Sequence, residues 1–239
     1  MKIPKKIHYV WVGGKEKPAD IKRCMKTWKN HLKDYEIIEW NESNFDINSH
    51  PFTAAAYKAK KWAFVSDYIR AYVLYKEGGI YLDTDVLVLS SLDSFLNNRA
   101  FVGYETENSP FTATFGAEKG HPLLRKILDY YDNLKKYGFN FEDNNTILVS
   151  NILINDFNCK TGNVSQVLEN DIRVYKDDVL CNPSKNSTTI HIFTGTWLDK
   201  SKSKYKIVKF FRLRLTNRFK AECYRKIIKI FHVLKGSKK

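Results

Sequence analysis

Apolar positions along the chain come in short continuous or alternating runs set between stretches of helical period. Ile7 to Val12 (IHYVWV) reads as a buried strand closed by Gly13 and Gly14, and Ala19 to Asn30 has the spacing of a helix. Tyr35 to Trp40 (YEIIEW) alternates as a second strand before the turn residues Asn41 to Asn44. A longer helical pattern spans Thr53 to Lys76, with Gly78 and Gly79 in the C-cap position, and Ile80 to Leu82 follows as a third strand. This alternation predicts an α/β fold of Rossmann-like type: a mostly parallel central sheet with flanking helices.

Farther on the pattern is less regular. RAFVGYE (99–105) and FTATFGA (111–117) look like strands, residues 121–138 like an amphipathic helix, and TTIHIF (188–193) like a late strand. At the end, Val208, Phe211, Leu215 and Phe219, then Tyr224, Ile227, Ile228, Phe231 and Leu234, recur at helical spacing. Lys209, Arg212, Arg225, Lys226 and Lys229 fill other positions. The segment therefore reads as a basic amphipathic helical tail.

Charge sharpens that division. The 239 residues carry a formal net charge of +14, yet residues 200–239 hold 15 of the 40 Lys and Arg and one of the 26 acids, leaving 25 of each in residues 1–199. A neutral catalytic domain (1–199) and a basic tail (200–239) are expected. The tail suits an anionic membrane surface better than nucleic acid. Four scattered cysteines without a C-x-x-C pair suggest neither a disulfide framework nor a zinc site, and fit a reducing, cytoplasmic setting. The basic start is followed by too few apolar residues for a signal peptide, and no apolar run approaches the roughly 20 residues of a membrane span. A cytoplasmic protein, peripheral at the inner face of the cell membrane, is the expected placement.

The candidate chemistry lies where the third strand ends, in GGIYLDTDV. In an extended backbone Asp83 and Asp85 share a face, and two carboxylates can hold a hard divalent cation. D-x-D alone also occurs as a solvated acidic turn. The helix just before it is apolar around most of its girth yet carries Asp67 and Arg70 three residues apart, either an ordinary intrahelical ion pair or groups awaiting a ligand. In open α/β sheets ligands bind beyond the carboxyl ends of the strands, where both VGG and DTD fall.

The 23-residue run FVSDYIRAYVLYKEGGIYLDTDV (64–86), with the opening IPKKIHYVWVGG, resembles the DXD-type sugar-binding glycosyltransferases of family 32 and, more distantly, the catalytic domain of the large clostridial glucosylating toxins. The likeness extends over roughly residues 1–198. It implies a GT-A fold and a retaining transfer of a hexose from a nucleotide sugar, a UDP-hexose by preference, with Mn2+ or Mg2+. By the same resemblance Asp83, Asp85 and Arg70 are catalytic, and Val10, Trp11, Asp67, Arg70, Asp83, Thr114, Thr196 and Trp197 bind the donor, with Thr112 a further candidate. Asp83, Asp85 and His191 would hold the metal. The acceptor would be a surface glycan such as capsular polysaccharide or lipopolysaccharide, or a lipid-linked glycan. A protein acceptor, as in the toxins, and a non-enzymatic module built around the basic tail are the competing readings. If the tail only docks on a membrane, a chain ending at Asp199 should keep its turnover.

Overall fold

The computed structural model describes residues 2–139, 144–194 and 203–236, the side chains of 203–206, 229 and 231–236 excepted. β1 (Lys6–Val10), α1 (Ala19–His31) and β2 (Glu36–Trp40) follow the apolar pattern closely. The long helical pattern after them is two helices, α2 (Pro51–Lys58) and α3 (Trp62–Glu77), instead of one. Lys60 takes the left-handed conformation with φ 57°. The Lys61 amide reaches back to Ala56 O and that of Lys60 to Tyr57 O, the closing bonds of a Schellman motif.

β3 (Gly79–Leu82), β4 (Val86–Val88), β5 (Ala100–Gly103) and β6 (Thr114–Ala117) come next, then α4 (Pro122–Asp132) and α5 (Asn145–Asp156). The chain continues through β7 (Gln166–Leu168), β8 (Ile172–Tyr175), the short α6 (Asp177–Leu180) and β9 (Thr189–His191) to α7 (Ser203–Arg212) and α8 (Arg218–Gly236).

Seven strands form one sheet in the order β2-β1-β3-β6-β5-β8-β7, and β4 pairs with β9 in a separate two-stranded sheet. The expectation of a mostly parallel sheet is corrected: β1–β2, β1–β3 and β5–β8 are parallel, while β3–β6, β5–β6 and β7–β8 are antiparallel. The reversals come from β7 at the edge and from β6, which enters between β3 and β5 against both. Gly116 permits that entry, since a Cβ there would lie 2.6 Å from the Phe101 ring. Because β6 opposes both neighbours, β3 and β5 run the same way, and β1, β3, β5 and β8 all end at one rim.

Alternation along the strands divides the core. Ile7, Tyr9, Ile80, Leu82 and Phe101 pack with Trp28 of α1 on one face; Val10, Tyr81, Ala100 and Val102 pack with α2 to α5 on the other. A third cluster joins Cys24, Leu87, Leu89, Ile190 and Ile192 to Leu215 and Ala221, so the basic carboxyl-terminal helices are seated on the α/β body. They are amphipathic in a different sense from the predicted stripe. Leu215 is buried but Phe211 and Phe219 are exposed, while Arg212 is buried and Arg225 meets Asp178. Phe231, Leu234 and Lys229 lie outside the described side chains.

Candidate active site

The two aspartates converge by a route other than an extended strand. β3 stops at Leu82, the Val86 amide donates to Asp83 O at 3.0 Å, and the intervening residues form a tight turn. β4 then leaves the main sheet to pair with β9 in the register Val86↔His191. That register sets His191 beside Asp85, across more than a hundred residues of chain. Their side chains meet at 3.3 Å, Nε2 to Oδ1.

Arg70 occupies the other side of Asp83. From the buried face of α3 its Nη2 contacts Asp67 Oδ1 at 3.0 Å and Asp83 Oδ1 at 3.1 Å, and donates to Ser66 Oγ at 2.9 Å. The guanidinium carbon stands 4.6 Å from the centre of the Tyr81 ring. Burial alone would lower the Arg70 pKa, but Asp83, Tyr81 and Asp67 around it hold it above its ordinary value. Burial pushes the Asp67 carboxyl up to about 7 even with Arg70 opposing. Asp83 is also raised by burial, again against Arg70. One cation thus serves two carboxylates, so this corner has little room for a second full negative charge until a further cation or donor arrives.

Asp85 is the contrasting carboxylate. Burial opposes its ionisation, but His191 and the Thr194 backbone and hydroxyl hold it well below the usual carboxylate range. Both Thr194 donors reach Asp85 Oδ2 at 2.9 Å. On its far side the His191 ring faces Glu105, Nδ1 to Oε2 at 3.6 Å. Burial lowers the imidazole's pKa, yet Asp85 outweighs it and His191 sits well above its ordinary value. Donor atoms of Asp83, Asp85 and His191 lie within 4.8 Å of one another, as do those of Glu105, Cys181 and His191. Two carboxylates and an imidazole suit a divalent ion of the Mn2+ kind; Mg2+ favours an all-oxygen set.

The loop after His191 is held under strain. Phe193 is a non-glycine residue with φ 58°. Its ring lies 3.9 Å from that of His191, centre to centre, with the Arg212 guanidinium 4.9 Å from it on the tail side. Arg212, from α7, donates to His191 O at 2.6 Å and to Asn182 Oδ1 at 2.8 Å. A left-handed residue of this kind costs on the order of 1–3 kcal/mol and persists because Asp85 on one side and Arg212 on the other fix it.

The structure therefore brings Asp67, Arg70, Asp83, Asp85 and His191 together. Val10 and Trp11 stand at the same rim, where β1 ends, and Trp11 is half-buried with its Nε1 donating to Lys15 O at 2.6 Å. Thr114 is fully buried, and its hydroxyl accepts a hydrogen bond from Thr189 Oγ1 at 3.2 Å. Thr112 is buried, its hydroxyl without a hydrogen-bond partner among the described residues. Thr196 and Trp197 fall outside the described residues. Sequence reasoning missed Glu105, Thr194, Arg212 and Asn145, whose buried side-chain amide has no hydrogen-bond partner among the described residues and whose backbone touches Asp67. For Glu105 a signal existed: it follows β5, which ends at the same rim as β3.

Residues 18–102 match the family described as a glycosyltransferase sugar-binding region containing a DXD motif. Over that stretch the chain is similar to the DXD-motif glycosyltransferases. It is 31% identical to inositol phosphoceramide mannosyltransferase 3 of Schizosaccharomyces pombe over 143 residues, 58% of this chain and 39% of that protein. Against the initiation-specific alpha-1,6-mannosyltransferase of Candida albicans it is 25% identical over 160 residues, 53% of this chain and 42% of the other. The chain thus spans well under two thirds of either relative. The solved PaToxG glycosyltransferase overlays 64% of this chain and 69% of its own, at 18% identity and a TM-score of 0.48.

Proposed function

We propose that this chain is a metal-dependent, retaining glycosyltransferase of the family-32 type, moving a hexose from a nucleotide sugar to a glycan or lipid-linked glycan acceptor. The observation that carries the reading is the paired cluster at the strand rim, Asp67–Arg70–Asp83 on one side and Asp85–His191 on the other. The first half offers buried carboxylates and a guanidinium to sugar hydroxyls and phosphate. The second offers a ligand set for Mn2+, or less favourably Mg2+. The metal, when bound by Asp83, Asp85 and His191, supplies charge to offset the diphosphate.

Arg70 would stabilise negative charge growing on the leaving diphosphate as the bond between the anomeric carbon and its phosphate oxygen breaks. The acceptor oxygen forms the new bond on the same face, and its proton passes to the departing phosphate, so no protein base is required. Trp11 would lie against the nucleobase, with Val10 beneath it; Thr196 and Trp197 would complete the donor contacts, and Thr114, fully buried with its hydroxyl engaged by Thr189, would support them from beneath. Two curated relatives are named for mannosyl transfer, one of them to inositol phosphoceramide, which supports a hexose donor and a lipid-borne acceptor. Extension of a surface glycan such as a capsular polysaccharide, by a cytoplasmic protein peripheral to the inner membrane face, accommodates these features.

The test is a thermal-shift and donor-hydrolysis screen of the full chain with Mn2+ and a panel of UDP- and GDP-hexoses, beside Asp85→Asn. One donor should respond and raise the apparent stability of the wild type. Asp85→Asn should stay folded at about 25 °C but melt below the wild type, because it loses the His191 ion pair, and it should lose the Mn2+-dependent response. If it kept most of its activity at limiting Mn2+, the metal assignment would fall.

A further inference from the structure

Among the described residues, most of the large apolar side chains that stand in solvent are on two helices. Ile207, Phe210, Phe211, Phe219, Ile227 and Ile230, all at least half exposed, lie on α7 and α8; Tyr130, Val164 and Val167 are scattered elsewhere. These helices are not loose appendages whose apolar side awaits the body, because the body already has its share. Leu215 and Ala221 are in the third core cluster, with Leu213 and Tyr224 against it.

The basic residues divide in the same way. Lys209 pairs with Asp20, Arg225 with Asp178, and Arg218 donates to Ser187 O, so these cations face inward. Arg214, Lys220 and Lys226 point outward and have no carboxylate partner among the described residues. Arg214 lies with its guanidinium 3.4 Å from the centre of the Phe210 ring. The outer face therefore interleaves aromatic and aliphatic groups with unpaired positive charge.

We infer that the outer face of α7 and α8 docks the protein on an anionic phospholipid surface, with the two helices lying in the interfacial plane. An apolar face buried at the headgroup boundary and cations at the lipid phosphates satisfy both components at once. A second copy of the chain would bring like charges together. A nucleic acid would answer the charge but offers no apolar phase to Ile207, Ile227 or Ile230. No helix among the described residues is long and apolar enough to cross a membrane, so the contact is made from one side.

Docking has a consequence for the site. Phe211 on the outer face immediately precedes Arg212, which holds the His191 carbonyl. A docked molecule thus presents the rim of the candidate site close to the bilayer, where a lipid-borne acceptor would arrive. This consequence rests on the glycosyltransferase reading; the docking does not.

The experiment is co-sedimentation of the full chain with vesicles of phosphatidylcholine alone and of phosphatidylcholine with about one third phosphatidylglycerol, at about 0.15 M salt. Wild type should pellet with the anionic vesicles and stay behind with the neutral ones. Phe219→Ser with Ile230→Ser, and separately Lys220→Glu with Lys226→Glu, should each weaken binding at least about tenfold, with unchanged melting temperature and nucleotide-sugar response. Equal binding to both vesicle types, or full binding by either double variant, would overturn the inference. So would retention on duplex DNA without vesicle binding, or self-association that the same substitutions abolish. Vesicle binding by a protein that answers no nucleotide sugar would leave docking in place and remove the transferase reading; the reverse pattern would do the opposite.

Discussion

Asp67 is the residue at which burial and charge conflict most directly. Its carboxyl titrates near 7 in the folded protein against an ordinary 3.8, because burial penalises the anion more than Arg70 rewards it. A folded value raised above the unfolded one favours folding below the unfolded value, and that contribution is lost as pH rises through about 7. Asp67→Asn removes the titration. Relative to wild type, its melting temperature should therefore climb between pH 5 and pH 8, by an amount equivalent to roughly 2–4 kcal/mol. Its affinity for the donor should fall in the same variant, since the amide replaces an acceptor of sugar hydroxyls. A stability difference that stayed flat with pH would show that Asp67 is ionised throughout.

Glu105 makes a second prediction at this scale. It faces the Nδ1 of His191, so it can fix which imidazole nitrogen is left for the metal. Glu105→Gln should weaken Mn2+ binding about tenfold in a calorimetric titration without donor. Unchanged affinity would make Glu105 a bystander. Asp83 and Asp85 could be picked out of the sequence because they are two residues apart and follow a glycine-marked strand. Glu105 is marked only by its place just after a predicted strand and Arg212 by nothing, since strand register and helix docking are what carry them to His191.

At the scale of elements, α1, α3 and α4 were legible, while α5, α6 and the joints between helices were not. Gly78 follows α3 with φ 69° and announces its end, whereas the end of α2 rests on Lys60, a residue with no such signal. The physics predicts a gain there: Lys60→Gly should stabilise the protein by about 0.5–1 kcal/mol, read from the urea midpoint, because glycine meets no Cβ penalty in the left-handed region. A loss would mean that the Lys60 side chain contributes more than its backbone costs. Strand direction was equally hidden. Apolar alternation tells which face of a strand is buried but nothing about which way it runs, and the two reversed strands, β6 and β7, turn a predicted parallel sheet into a mixed one. The turn at Asp83 to Val86 belongs with these, for an i, i+2 pair looks the same in sequence whether the chain is extended or bent.

For the whole molecule, the question is whether the basic carboxyl-terminal segment can be removed from the catalytic body. Its helical spacing and its charge suggest a separable tail, and a chain ending at Asp199 should then keep its turnover. The packing argues otherwise. Leu215 and Ala221 cover Cys24, Leu87, Ile190 and Ile192, and Arg212 caps the carbonyl of the candidate ligand His191 from the same helices. Removing residues 200–239 exposes that cluster and leaves the strained loop at Phe193 without its outer support. The shortened chain should melt about 10 °C lower or more, as expected when several buried apolar contacts are lost. Instability alone would not connect the segment to the site, so Arg212→Met in the full chain supplies the decisive comparison. That substitution keeps α7 and α8 seated but deletes both donors, and it should weaken Mn2+ binding about tenfold while binding to anionic vesicles is retained. If Arg212→Met bound Mn2+ as tightly as wild type, and the shortened chain turned over its donor at the full rate, the segment would be a membrane-docking device and nothing more.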